Sequence, residues 1–183
     1  MFRIGKLKLK SNLILAPMAG VSDLPFRLLS RRFGCEFAFT EMINVRSLSH
    51  KMRKTKKMLS TSSEDQPLGI QIIGCEEDFL LRAIDVLGFY EYDILDFNAA
   101  CPVKKVARRG EGAALLKDLR KLHKLLKILV KNSNKPVTVK IRTGWDKDSI
   151  NAKEAALMSQ DAGVSALFIH GRSREQGYSG EVN

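Results

Sequence analysis

The feature that most constrains this chain is an alternation. Six short apolar runs, Leu13 to Ala16, Glu36 to Thr40, Leu68 to Ile73, Asp93 to Asn98, Val137 to Arg142 and Ser165 to His170, are separated by segments with helical punctuation. Ser22 stands before Leu24-Pro25-Phe26 with Gly34 beyond it, and Ser149 stands before an alanine-rich stretch that ends at Gly163. Between the fourth and fifth runs Leu119, Leu122, Leu125, Leu126 and Leu129 recur at helical spacing, with Lys121, Lys124, Lys127 and Lys131 interleaved as a solvated face. Strict strand–helix alternation predicts βαβ units around a parallel sheet, hence the α/β class. Six such strands fit a (β/α)8 TIM barrel, which needs eight strands and about 250 residues. At 183 residues the chain is expected to be that barrel truncated after about six βα units, a single incomplete domain over 1–183. Open sheet edges would then invite self-association of a protein that is monomeric when complete.

Charge and cysteine usage narrow the class of partner. Thirty-one Lys and Arg against 20 Asp and Glu give a net charge of +11, which attracts polyanions. The stretch from His50 to Lys57 places Lys51, Arg53, Lys54, Lys56 and Lys57 around Met52 and Leu59, either as a solvated helix or as an RNA contact. Cys35, Cys75 and Cys101 form no CxxC pair and no zinc-like spacing, so neither a disulfide framework nor a metal site is expected. No apolar run approaches a membrane span, and the segment from Met1 to Asn12 has no signal-peptide core. A cytoplasmic protein without membrane contact is expected.

In a barrel of this kind the chemistry gathers at the carboxyl ends of the strands. The run Val137-Thr138-Val139-Lys140-Ile141-Arg142 alternates, so Val137, Val139 and Ile141 should face outer helices while Thr138, Lys140 and Arg142 face the interior or its mouth. An ammonium there needs either a carboxylate from another strand or a bound anion. Glu41, Gln71, Asn98 and His170 end other strands; each alone is an ordinary core or loop residue, but together they surround one opening with hydrogen-bonding groups suited to a flat heteroaromatic ligand. Pro17, Met18, Ala19 and Gly20 form either a plain turn or a wall that lets backbone approach such a ring. Cys101, in Asn98-Ala99-Ala100-Cys101-Pro102, is the reactive candidate by position. The glycines of Arg108-Arg109-Gly110-Glu111-Gly112 suit either phosphate binding or helix capping.

With these segments in order the chain resembles the tRNA-dihydrouridine synthases, flavoproteins that reduce uridine in tRNA. The resemblance is carried by Ala16-Pro17-Met18-Ala19-Gly20-Val21-Ser22-Asp23, Glu41-Met42, Gln71-Ile72-Ile73-Gly74, Asp96-Phe97-Asn98, Cys101-Pro102, Gly112-Ala113-Ala114-Leu115-Leu116, Val139-Lys140-Ile141-Arg142-Thr143-Gly144-Trp145 and His170-Gly171-Arg172-Ser173-Arg174. It implies a barrel that holds FMN through Pro17, Met18, Ala19, Gln71, Lys140 and His170, with NADPH or NADH as reductant. It implies further that Asn98 faces the uracil, that Cys101 donates a proton to C5 while hydride reaches C6, and that Arg142, Lys104, Lys105, Arg172 and Arg174 contact the tRNA. Ala100 stands where the family usually has glycine, and two further strands and a helical tRNA-binding domain of the family are expected to be absent. Two other readings stand beside this one: an FMN barrel acting on a free pyrimidine or other small enone, and an inactive fragment.

Overall fold

A computed structural model describes residues 1–50 and 52–183. The element order is β1 (Phe2–Ile4), β2 (Leu7–Leu9), β3 (Ile14–Leu15), α1 (Leu24–Arg32), β4 (Phe37–Phe39), β5 (Ile43–Asn44), α2 (Val45–Ser49), α3 (Arg53–Met58), β6 (Leu68–Ile73) and α4 (Glu77–Leu87), then β7 (Ile94–Ala99), α5 (Lys104–Ala107), a 3-10 helix (Gly112–Lys117), α6 (Leu119–Asn132), β8 (Val137–Arg142), α7 (Ala152–Asp161) and β9 (Ala166–His170). All six expected strands are present. They pair in parallel in the order β3-β4-β6-β7-β8-β9, with β5 also on β6. The sheet curls enough for the Phe39 ring of β4 to meet the Phe168 ring of β9 at 5.6 Å. The chain is therefore an α/β half-barrel, with the strand succession of a (β/α)8 barrel through its sixth strand.

The alternation of β8 works as its sequence requires. Val137, Val139 and Ile141 pack with Leu122, Leu125, Leu126 and Leu129 of α6 and with Leu80, Ala83 and Leu87 of α4. Full burial of one such side chain contributes about 1.5–3 kcal/mol, so these two helix stripes hold the outer layer to the sheet. On the inner side Phe37, Phe39 and Ile94 pack with Ile4 and Leu9. Gly69 makes room there, because a Cβ at that position would lie 2.2 Å from the Phe39 ring.

Three features were not legible in the periodicity. Residues 1–9 form an antiparallel hairpin, β1 with β2, whose Ile4 and Leu9 plug the amino end of the half-barrel. The second strand is interrupted: Phe39 pairs with Gly69 and Ile43 with Ile72, so four steps on one strand face three on the other. That one-residue excess is a bulge, and the Thr40 hydroxyl fills the gap by accepting from Gln71 N at 3.2 Å. The cap of α1 is Asp23, whose carboxylate accepts from Phe26 N. Ser22 is turned instead onto the backbone of Met18. Ser149 likewise does not cap α7; its hydroxyl bonds Asp146 and the cap position is Asn151. Of the basic stretch from His50, Lys51 and the side chain of Lys54 lie outside the described residues, while Lys56 and Lys57 are exposed.

A buried ion cluster fixes the loop that follows β3. Asp65, 0% exposed, accepts from Arg27 Nε at 2.9 Å and Nη2 at 2.7 Å, and from Arg31 Nη2 at 3.2 Å. Arg27 also donates to Ser22 O at 2.8 Å and Ser60 O at 2.9 Å, so one guanidinium joins the first loop, α1 and the segment before β6. Removing one partner of a buried pair strands the other charge. Asp65→Ala is expected to cost about 3–5 kcal/mol, read as a lowered urea midpoint; a loss below about 1 kcal/mol would show that water reaches the arginines.

Candidate functional site

At the carboxyl ends of the strands lies a cavity of about 610 Å³. The expected residues Pro17, Met18, Ala19, Gln71, Asn98, Cys101, Lys140, Arg142 and His170 all line it, joined by Met42 and Tyr178. Lys104, Lys105, Arg172 and Arg174 do not line it, and neither does Glu41, whose carboxylate accepts from Gly20 N. Lys104 and Lys105 are exposed on α5, directly after Val103, which lines the cavity. Arg172 donates through Nε and Nη2 to Gly180 O, and the Arg174 guanidinium lies 4.5 Å from the Trp145 ring centroid, with Lys117 Nζ at 4.8 Å from the same centroid.

Gln71 and Asn98, which line the cavity, belong to a continuous polar chain that runs into the buried sheet. Gln71 Nε2 donates to Asp96 Oδ2 at 2.7 Å, the Thr138 hydroxyl donates to Asp96 Oδ1 at 2.6 Å, and Asn98 Nδ2 donates to Gln71 Oε1 at 2.7 Å. These residues meet because the strands are in register, Gln71 opposite Asp96 and Asp96 opposite Thr138. Asp96 is fully buried, and burial pushes its carboxyl up to about 6 against the pull of its two hydrogen bonds. Burial lowers Lys140, with Asp96 drawing it back up and Arg142 lowering it further. Lys140 forms no ion pair among the described residues. The interior ammonium thus has a carboxylate nearby without forming an ion pair with it.

Cys101, 7% exposed, is held from three directions. Its N–H and that of Ala100 donate to Asn98 Oδ1, Arg142 Nε donates to Ala100 O at 2.8 Å, and Ala113 N donates to Cys101 O at 3.1 Å. Gly112 lies so close that a Cβ there would sit 2.9 Å from Cys101 Cβ, which gives one glycine of the Gly110-Glu111-Gly112 segment a packing role. Burial raises the Cys101 thiol, and the cations that pull it down are Arg142 and Arg109. The group is a thiol at neutral pH. His170 is lowered by burial and then by Arg142, Lys140 and Arg172, so its ring is neutral at pH 7. Its Nδ1 is buried with no hydrogen-bond partner among the described residues.

Arg142 lines the cavity and is also bound into its loops. It is buried, and Nη1 donates to Ser173 O at 2.9 Å and Gly177 O at 2.8 Å in addition to the Nε bond. It ties the loop after β7 to the loop after β9 and so shapes the cavity wall. Sequence reading also left Asp96 and Thr138 without a site role, although Asp96 lies two residues before Asn98 on the same face of a strand.

A half-barrel that gathers a thiol, two amides, an ammonium and an imidazole at the carboxyl ends of its strands has the layout of a (β/α)-barrel active site. The chain belongs to the dihydrouridine synthase family: residues 14–183 match the family described as Dihydrouridine synthase (Dus). It is 40% identical to a tRNA-dihydrouridine synthase B of Pasteurella multocida over 180 residues, 98% of this chain and 54% of the relative. It is 41% identical to a tRNA-dihydrouridine synthase B of Pseudomonas aeruginosa, over the same shares of each. A probable tRNA-dihydrouridine synthase of Rickettsia typhi is 39% identical over all of this chain and 56% of its own length. The chain spans about half the length of the curated relatives it matches. Among the described residues no group of His, Cys, Asp and Glu could hold a metal, and no helix is long and apolar enough to cross a membrane.

The Asp96 shift carries a stability signature. The folded value, about 6, lies above the ordinary 3.8, so the folded chain holds this proton more tightly than the unfolded chain. Its contribution is complete below about pH 4 and is lost as pH rises through about 6, for a total of about 3 kcal/mol. Asp96→Asn does not titrate. Denaturant unfolding should show the native chain losing about that much stability relative to the variant between pH 4 and pH 8; a constant difference would place the carboxyl near its ordinary value.

Proposed function

We propose that the protein carrying this chain reduces uridine to 5,6-dihydrouridine in tRNA, with FMN in the 610 Å³ cavity, NADPH or NADH as reductant, and Cys101 as the acid. The observation that carries this reading is the buried thiol of Cys101 facing the same cavity as Lys140 and His170. A flavin fits what these residues lack: among the described residues Lys140 has no ion-pair partner and His170 Nδ1 no hydrogen-bond partner, and both face a cavity large enough for a ring system. Bound and reduced, FMN supplies hydride chemistry. Pro17, Met18 and Ala19 would form one wall for it, Gln71 and His170 would offer hydrogen bonds, and Lys140 would balance negative charge on the ring.

The chain's own residues divide the remaining work. Asn98 borders the cavity beside Cys101 and would orient the uracil. Cys101 holds the proton bound for C5, and burial keeps it on sulfur until substrate arrives. Lys104 and Lys105 are exposed and would meet tRNA phosphates. Arg172 and Arg174 would frame the rim, and Arg142 would hold together the loops after β7 and β9 that border the substrate. The work belongs to the cytoplasm, where tRNA is the polyanion that a charge of +11 suits.

In the full-length protein Cys101→Ala should retain flavin and its reduction by nicotinamide while uridine reduction falls by about 10²-fold or more, the usual share of a general acid. Normal turnover on tRNA would remove Cys101 from that role. Binding of tRNA should weaken with salt at a log–log slope of about 0.7–0.9 per phosphate neutralised. Lys104→Ala with Lys105→Ala should reduce that slope by about one per lysine; an unchanged slope would place the phosphates elsewhere.

A further inference from the structure

Asp96 is a fully buried carboxylate bonded to the cavity-lining Gln71, and the reaction as proposed gives it nothing to do. Its surroundings give it a direction. An ionised carboxylate only accepts, so both neighbours must donate to it: Gln71 through Nε2 at 2.7 Å and Thr138 through its hydroxyl at 2.6 Å. A primary amide has one donating end and one accepting end. Because Gln71 turns its NH2 to Asp96, its carbonyl faces Asn98 and accepts Nδ2 at 2.7 Å. Asn98 then has only its carbonyl to offer the backbone N–H groups of Ala100, at 3.0 Å, and Cys101, at 2.9 Å. The reverse order fails at both ends. Asn98 would point its NH2 at two N–H donors, and Gln71 would point its carbonyl at a carboxylate.

We propose that Asp96 is a positioning residue for Cys101, acting through Gln71 and Asn98 to fix the direction of both amides and the backbone that carries the thiol. This rests on Cys101 being the acid. The other two holds on the loop, Arg142 on Ala100 O and Ala113 on Cys101 O, grip carbonyls; the chain from Asp96 is the one that grips the two N–H groups. It also sets which edge Gln71 and Asn98 present to a ligand, since the two lining amides are oriented from below.

Hydrogen exchange at the Ala100 and Cys101 amides of the full-length protein tests the relay without any turnover. Asp96→Val removes the acceptor and should speed exchange at both amides, and iodoacetamide alkylation of Cys101, at least fivefold. Asp96→Asn should stay within threefold of the native protein. The Thr138 hydroxyl can rotate to accept from the new NH2, which leaves an amide oxygen for Gln71 and preserves the direction. If Asp96→Val does not fold, Gln71→Met cuts the chain at its middle link and should give the same rise. Unchanged exchange in whichever cutting variant folds, or Asp96→Asn as fast as Asp96→Val, would overturn the proposal. Uridine reduction in Cys101→Ala judges the acid reading separately: if that variant turns over normally the acid reading fails, while the exchange result still decides the relay.

Discussion

A parallel sheet that curls on itself has a dry interior, and any polar group placed there must find its partners within the sheet. Asp96 is where that constraint is sharpest. Two strand neighbours satisfy it, and the second amide in line reaches the loop that bears Cys101. The carboxylate therefore links the register of β6, β7 and β8 to the placement of a side chain above them. A slip of one residue in any of these strands would turn the partner to the outer face and leave Asp96 unpaired.

The two ends of the half-barrel divide stability and chemistry. The amino end is closed by the hairpin through Ile4 and Leu9, which pack on Phe37, Phe39 and Ile94 and carry no polar function. At the carboxyl end the walls are made by loops, and each is tied down separately. Arg27 and Asp65 secure the loop after β3, the Thr40 bulge reshapes the second strand, and Arg142 joins the loops after β7 and β9. Loops so fixed can hold the thiol of Cys101 beside the ammonium and the imidazole that β8 and β9 carry to the same cavity.

The electrostatics of the cavity follow from burial. Desolvation raises Asp96 and Cys101 and lowers Lys140 and His170, so each group is drawn toward its neutral form. For Cys101 and His170 that means a thiol and a neutral imidazole at pH 7. Lys140 keeps its attraction to Asp96 yet makes no ion pair among the described residues, an arrangement that favours an anionic or electron-rich guest.

Much of this was legible in the sequence, for local reasons. Apolar runs and their punctuation gave six strands and the helices between them, because period two and period 3.6 are properties of neighbouring residues. Polar residues at strand ends identified Gln71, Asn98, Lys140 and His170 as cavity-lining, since position along a parallel strand decides which end of a barrel a side chain reaches. What the sequence could not supply was pairing across strands. Asp96 beneath Gln71, the Arg27–Asp65 cluster, the hairpin under Phe37 and the bonds of Arg142 to three carbonyls all join residues distant in the chain. The sequence by itself determined the class of fold, the family resemblance and the chemical groups at the mouth. Only the tertiary structure decided which of those groups face the cavity and which are spent on holding it, because a buried donor goes to the nearest acceptor in space, whatever its place in the chain.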